Sequence, residues 1–215
     1  IARRVAFLTA YQNAAYGRRY AEKLAVLRAA EAKAIPGSTT VSQAAARNLF
    51  KLMAIKDEYE VARLYTDGSF VAELGKQFQS YEKLEFHLAP PIMGRRGNDG
   101  SPRKSSFGPW MMKGFRLLSA MKGLRGTAFD LFGYTAERRM ERRLLAQYEA
   151  DLELIAGSLA PARVDAAVAL ASVPALIRGY GHVRRASADK ASSERQRLLE
   201  RLSSTPARPK LQAAE

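Results

Sequence analysis

Cysteine is absent from this 215-residue chain. Disulfides, thiol nucleophiles, cysteine zinc sites and iron–sulfur ligation are therefore excluded within it. Histidine is almost absent: with only His87 and His182 a histidine-rich metal site cannot be assembled, and only an all-carboxylate site stays open. No apolar run approaches the roughly 20 residues a membrane span needs, because Arg, Lys or Gly interrupts each one. Negative charge is also short, with 21 Asp and Glu against 35 Lys and Arg, a net charge of +14. That deficit points to an acidic partner: nucleic acid, a phosphorylated cofactor, an acidic protein or an acidic neighbouring domain.

What is present suits a globular fold. The hydrophobic content is 47%, enough for one sizeable core. The opening stretch IARRVAFLTAYQNAAYGRRY sets basic residues before a short apolar run, as a signal peptide does, but Gln12, Asn13 and its helical periodicity argue against one. A soluble, cytoplasmic protein is the expectation. The first residue is Ile, so the chain is expected to be a fragment of a longer one.

Periodicity predicts helix after helix. The segment Ile1 to Lys33 spaces Val5, Leu8, Ala15, Leu24 and Leu27 as one amphipathic helix, stopped by Pro36 and Gly37. Thr40 with Gln43 has capping-box spacing, so a second helix should start near Val41 and bury Ala45, Leu49, Leu52 and Met53. Asp57 with Glu60 repeats that signature ahead of a piece closing at Asp67 and Gly68, and a shorter helix is expected over Phe70 to Phe78. From Lys83 to Leu88 the period becomes two, the mark of a half-buried strand whose natural antiparallel partner is Lys104 to Gly108. Helical spacing returns over Trp110 to Met121, then gives way to a loop, KGLRGTAFDLFGY. Thr135 should cap a long helix burying Met140, Leu144, Leu145, Tyr148, Leu152 and Ile155. Pro161 to Ala171, a short piece after Pro174 and a last helix from the RGYGH turn to about Leu202 complete the series. The expected architecture is mainly α: a single helical domain over 1–202 of about six to eight helices, with one small antiparallel β-hairpin near 83–88 and 104–108. Residues 203–215 hold too little apolar surface to offset ordering entropy and should be a disordered tail.

The candidate functional residues cluster around loops and one basic helix face. His87 stands on the strand face opposite Leu84, Phe86 and Leu88, near Arg95 and Arg96 of the loop GRRGNDGSPRK. Read functionally, it is a general base or a phosphate donor. A strand histidine held by a backbone or carboxylate partner is the preferred reading, since no nucleophile stands nearby in sequence. Pro90 and Pro91 fix where that loop leaves the strand, and the loop lacks both phosphate-binding fingerprints. Trp110, in FGPWMM, reads as a core plug before it reads as a stacking platform. Arg138, Arg139, Arg142 and Arg143 give a helix face that is by default solvated, and functionally a dock for an acidic protein or a nucleic-acid backbone. His182 reads as a capping or buried polar residue beside glycines that let something pack closely. A nucleic-acid-binding module is the alternative reading, disfavoured because aromatics are not interleaved with the basic residues and no recognition motif is present.

Six blocks, ARNLFKLMAIKDEYEVARLYTDG, FHLAPP, FGPWM, LRGT, TAERRMER and IRGYGHV, occur in an order that resembles the C-terminal region of the fused-chain, indolepyruvate-type 2-oxoacid:ferredoxin oxidoreductases. The resemblance covers roughly Arg3 to Leu202. It implies a parent enzyme that uses thiamine diphosphate, iron–sulfur clusters and coenzyme A to decarboxylate a 2-oxoacid oxidatively and pass the electrons to ferredoxin. The cofactor-binding parts of that family lie upstream, so no catalytic residue carries over to this chain and no cofactor or metal is expected on it. The implied role is an accessory domain, inactive alone, that packs on the catalytic domains of the same polypeptide, helps a homodimer form, and offers its basic loop to an active-site mouth or to acidic ferredoxin.

Overall fold

The structure is a computed structural model, and it describes residues 1–80, 82–88 and 105–206. The mainly helical class is what the chain adopts: among the described residues there are nine α-helices and one two-stranded antiparallel hairpin. The chain divides into two compact units, Ile1–Ala54 with Ala136–Glu215, and Ile55–Thr135.

In the first unit the N-terminal segment is two helices rather than one, α1 (Ala2–Tyr11) and α2 (Ala14–Ala34). Asn13 makes the break: its backbone is extended and its side chain accepts the Tyr16 N–H at 2.9 Å, an N-cap in the interior of a periodic stretch. The two helices then pack so closely that a Cβ on Gly17 would sit 2.5 Å from Thr9 Oγ1 and 3.0 Å from the Val5 carbonyl. Only glycine permits that approach.

Helix α3 (Thr40–Met53) starts where the pattern predicts, but its cap is different. Thr39 is the N-cap residue and its side chain bonds no helix amide; it accepts instead from Gln43 Nε2 at 2.9 Å. The orphan amides go to Glu31, which arrives from the last turn of α2 fully buried. Its carboxylate accepts the N–H groups of Val41 (3.0 Å) and Ser42 (2.9 Å) and the hydroxyls of Ser42 and Ser38. Burial by itself would raise this carboxyl, yet the donors of Ser42, Ser38 and Val41 outweigh it and hold Glu31 below the usual carboxylate range.

The remaining helices of this unit are α7 (Ala136–Ser158), α8 (Val164–Ser172) and α9 (Gly181–Ser204). Leucines and alanines fill the space between them, Ala44, Ala45 and Leu49 of α3 against Ala167, Leu170 and Ala171 of α8. Buried polar groups are paired across elements: Asn48 Nδ2 and the Tyr148 hydroxyl both donate to the Ala171 carbonyl, at 3.0 and 2.7 Å. Arg195 of α9 forks onto Asp151 of α7 at 2.6 and 2.7 Å. Helix α9 outlasts the expected end at Leu202, because Arg163 Nε reaches the Thr205 carbonyl at 2.7 Å and ties down the final turn. The rest of the tail, 207–215, lies outside the described residues.

The second unit holds α4 (Glu58–Thr66), α5 (Ser69–Gln77), β1 (Phe86–Leu88), β2 (Ser105–Phe107) and α6 (Met111–Ala120). The predicted cap of α4 is present, with Asp57 accepting the Glu60 N–H at 2.8 Å. The predicted strands pair antiparallel, Phe86 with Phe107, His87 with Ser106 and Leu88 with Ser105, although each is only three residues long. Aromatic rings make the core: Tyr65 stacks on Phe115 at 4.9 Å and meets Phe70 and Phe86 edge-on at 4.8 and 5.3 Å.

Candidate functional site

Two places collect chemistry that the fold does not spend on packing, one in each unit. In the first unit, the turn between Leu176 and α9 carries Arg178, Gly179 and Tyr180. Gly179 has φ +81° and lies so near the first turn of α9 that a Cβ would meet Val183 Cγ1 at 2.7 Å. The close approach foreseen beside His182 is therefore made by the same turn.

Lys51 of α3 reaches this corner and donates to the carbonyls of Pro174 (2.8 Å) and Ala175 (3.2 Å). Arg178 Nε points at the same Ala175 oxygen from 3.4 Å. Arg184, whose side chain is only 13% exposed, sits 3.3 Å from Glu141 of α7, and its buried Nε has no hydrogen-bond acceptor. Glu141 is 4% exposed and is also paired with Arg138 one turn earlier. Burial drives the Glu141 carboxyl upward, and Arg138 and Arg184 only partly oppose that. Burial, followed by the positive charges of Arg184 and Arg178, holds the Lys51 ammonium below its ordinary value. Glu141, with Glu137 as a second negative charge acting on it, is thus outnumbered by Arg138, Arg184, Lys51 and Arg178, and the corner carries net positive charge.

In the second unit the glycine-containing loop Leu124–Thr135 is braced from beneath. Arg125 forks onto Asp57 at 2.6 and 2.7 Å, with both side chains buried, and its guanidinium lies 5.2 Å from the Tyr59 ring centroid. Asp130 accepts from the Tyr59 hydroxyl (3.3 Å) and from the N–H groups of Gly126 (2.9 Å) and Gly133 (3.0 Å). Desolvation and the neighbouring Asp130 push the Tyr59 hydroxyl up to about 12. Phe132 points inward against Tyr59, edge-on at 5.3 Å. The outcome is a fixed loop that displays Phe129, 74% exposed, together with Leu131 and Tyr134.

The residues singled out by sequence fare differently. His87 is exposed on the predicted strand face, and its Nδ1 lies 3.0 Å from Ser106 Oγ across the hairpin, so a serine hydroxyl takes the place of the backbone or carboxylate partner. Trp110 is a correction: it is 61% exposed at the N-cap of α6, touching Phe107 edge-on, because Tyr65 and the three rings around it already fill the core it was expected to plug. Arg138 is a second correction, since Glu141 and burial remove it from the solvated face. Arg139, Arg142 and Arg143 stay exposed along α7. His182 is exposed in the first turn of α9, neither buried nor the cap, which is Tyr180. Arg95, Arg96, Pro90 and Pro91 lie outside the described residues. Of the expected set, Arg138 and the turn bearing His182 belong to one corner. Lys51, Arg178 and Arg184 were missed, because their convergence depends on residues far apart in the chain. The braced loop was missed for a similar reason, although the alternation of apolar and small residues in TAFDLFGY was a usable signal.

No helix among the described residues is long and apolar enough to cross a membrane. Among the same residues no group of three or more His, Asp or Glu is placed to hold a metal ion. An iron–sulfur cluster has no thiolate to bind here, so the residues present do not fit one.

The fold and its two surfaces define a helical, basic protein domain. By its sequence the chain belongs to the family of unknown function DUF6537, whose model matches residues 1–197. No curated protein and no solved structure matches it.

Proposed function

We propose that the chain is an accessory domain, without a reactive centre of its own, of a cytoplasmic indolepyruvate-type 2-oxoacid:ferredoxin oxidoreductase that uses thiamine diphosphate, iron–sulfur clusters and coenzyme A. The observation that carries this reading is the braced loop. Two blocks of the resemblance, KDEYE and LRGT, supply Asp57, Tyr59 and Arg125, and these three spend their polar groups on holding Phe129, Leu131 and Tyr134 out to solvent. A rigid loop that presents large apolar side chains is suited to lie against another protein surface, since it pays little ordering entropy on contact. The partner it fits is the catalytic part of the same polypeptide. The net charge of +14 adds attraction to acidic ferredoxin, which raises encounter rates at low salt.

The test uses the intact polypeptide whose reading frame contains this chain. It should contain thiamine diphosphate and iron–sulfur clusters and should reduce ferredoxin with indolepyruvate. The double variant Phe129→Ser with Leu131→Ser should retain its clusters but lose thermal stability or dimer content by size-exclusion chromatography. A polypeptide without clusters, or one whose assembly ignores that double substitution, refutes the reading. Steeply salt-dependent DNA or RNA retention exceeding that of an equally charged control would support the nucleic-acid alternative.

A further inference from the structure

The cationic corner of the first unit has a consequence of its own, independent of whether the accessory reading holds. Lys51 and Arg178 converge on a single neutral acceptor, the Ala175 carbonyl, from 3.2 and 3.4 Å. Among the described residues neither is paired with a carboxylate. Glu141, the buried carboxylate of the corner, is already claimed by Arg138 and Arg184. Like charges held together at a partly buried place raise the free energy of the folded chain unless something negative joins them. Burial is the first cause that holds the Lys51 ammonium below its ordinary value, and the charges of Arg184 and Arg178 add to it.

The donor inventory says what would fit. An ammonium has three protons, and Lys51 spends two on carbonyls. A guanidinium has five, and Arg178 directs only Nε at a protein acceptor, leaving its terminal fork open on an exposed side chain. An anion with several oxygens and two charges could take the remaining Lys51 proton and the Arg178 fork together while offsetting both cations, which matches a phosphate group better than a monovalent carboxylate.

We infer that Lys51 and Arg178, backed by Arg184, form a binding site for a dianionic phosphate group, carried by a small phosphorylated molecule or present as free phosphate. The probes are inorganic phosphate and glycerol phosphate, titrated calorimetrically into the 215-residue chain at constant ionic strength. Saturable 1:1 binding is expected, weakened tenfold or more by Arg178→Ala and by Lys51→Gln, and unchanged by Arg143→Ala, a control of equal charge on the exposed face of α7. Tighter binding of glycerol phosphate would assign the site to a phosphorylated organic ligand; equal binding would assign it to free phosphate. Because Lys51→Gln removes two carbonyl contacts, the exposed Arg178→Ala variant decides the matter if Lys51→Gln fails to fold. As an independent readout, the Lys51 ammonium followed by nitrogen NMR should titrate at higher pH once phosphate is bound. Binding that does not saturate, or that falls equally in Arg143→Ala, overturns the site.

Discussion

The two units solve the same problem with different materials. The first packs leucine and alanine between long helices, so that α3 and α8 approach over Ala44, Ala45, Ala167 and Ala171, and it ties buried polar groups across elements one by one. The second has short helices and three-residue strands, with few fully buried side chains, and it relies on four aromatic rings and one buried ion pair. Large rings bury much area per residue and gain further from edge and stacking geometry, which suits a region with little chain to fold. The cost is surface: Val71, Phe78, Trp110, Leu117, Phe129, Leu131 and Tyr134 all remain exposed in the second unit. The comparison teaches that the small unit, with less chain to cover them, leaves a larger share of its large apolar side chains in water and is the one to expect at an interface, whereas the large unit exposes apolar groups such as Val26, Leu154 and Tyr180 singly along longer, better filled helices.

The sharpest way to break this contrast is Phe115→Ala. Removing the ring that Tyr65 stacks on and Phe86 abuts should cost about 3–5 kcal/mol, measured by urea unfolding. Amide exchange should quicken first over 55–135. If the helices carrying Leu49 and Leu170 lose protection equally, the two cores are not separate materials.

A smaller effect belongs to the polar joints of the large unit. Glu31→Gln should cost about 1–3 kcal/mol near neutral pH, since it weakens the acceptor for the amides and hydroxyls that open α3. Its pH dependence follows from the lowered carboxyl. Folded Glu31 binds its proton more weakly than the unfolded chain does, so its contribution is complete above the unfolded value of about 4.3 and drains away as pH falls through the folded value. The stability gap between wild type and Glu31→Gln should therefore close on acidification. A gap that stays constant from neutral pH down into the acid transition would show that the charge of Glu31 is not what opens the helix.

The smallest effect is expected at Trp110. With most of its surface in water, Trp110→Ala should shift stability by no more than about 0.5 kcal/mol in a thermal melt. Being the chain's one tryptophan, it should also give native fluorescence close to that of the unfolded chain. A blue-shifted native spectrum would return it to the core and erase the exposed apolar surface on which the contrast rests.

Local signals were well written in the sequence. The cap at Asp57, the stop at Gly68, the alternation over Leu84, Phe86 and Leu88, the partner strand and the stripe of α3 all read correctly, because each depends on neighbours within a few positions. The break at Asn13 was readable too, since an asparagine cap is a local device, but the unbroken apolar spacing around it outweighed that signal. Three things were not readable. The cap of α3 comes from Glu31, nine residues upstream of Thr40, the expected acceptor. Trp110 is displaced from the core by rings that only folding brings together. The cationic corner unites Lys51, Glu141, Arg178 and Arg184 from three helices and a turn.

By itself, the order of residues determined that this protein is helical, basic, free of thiols and equipped with one small hairpin. Backbone propensity, capping and periodicity act over a turn or two, and charge is a simple sum. Only the tertiary structure decided which cations lose their counter-charges and which aromatic rings stay in water. Those outcomes depend on which distant side chains compete for the same buried volume and the same hydrogen-bond acceptors, and that competition exists only once the chain has folded.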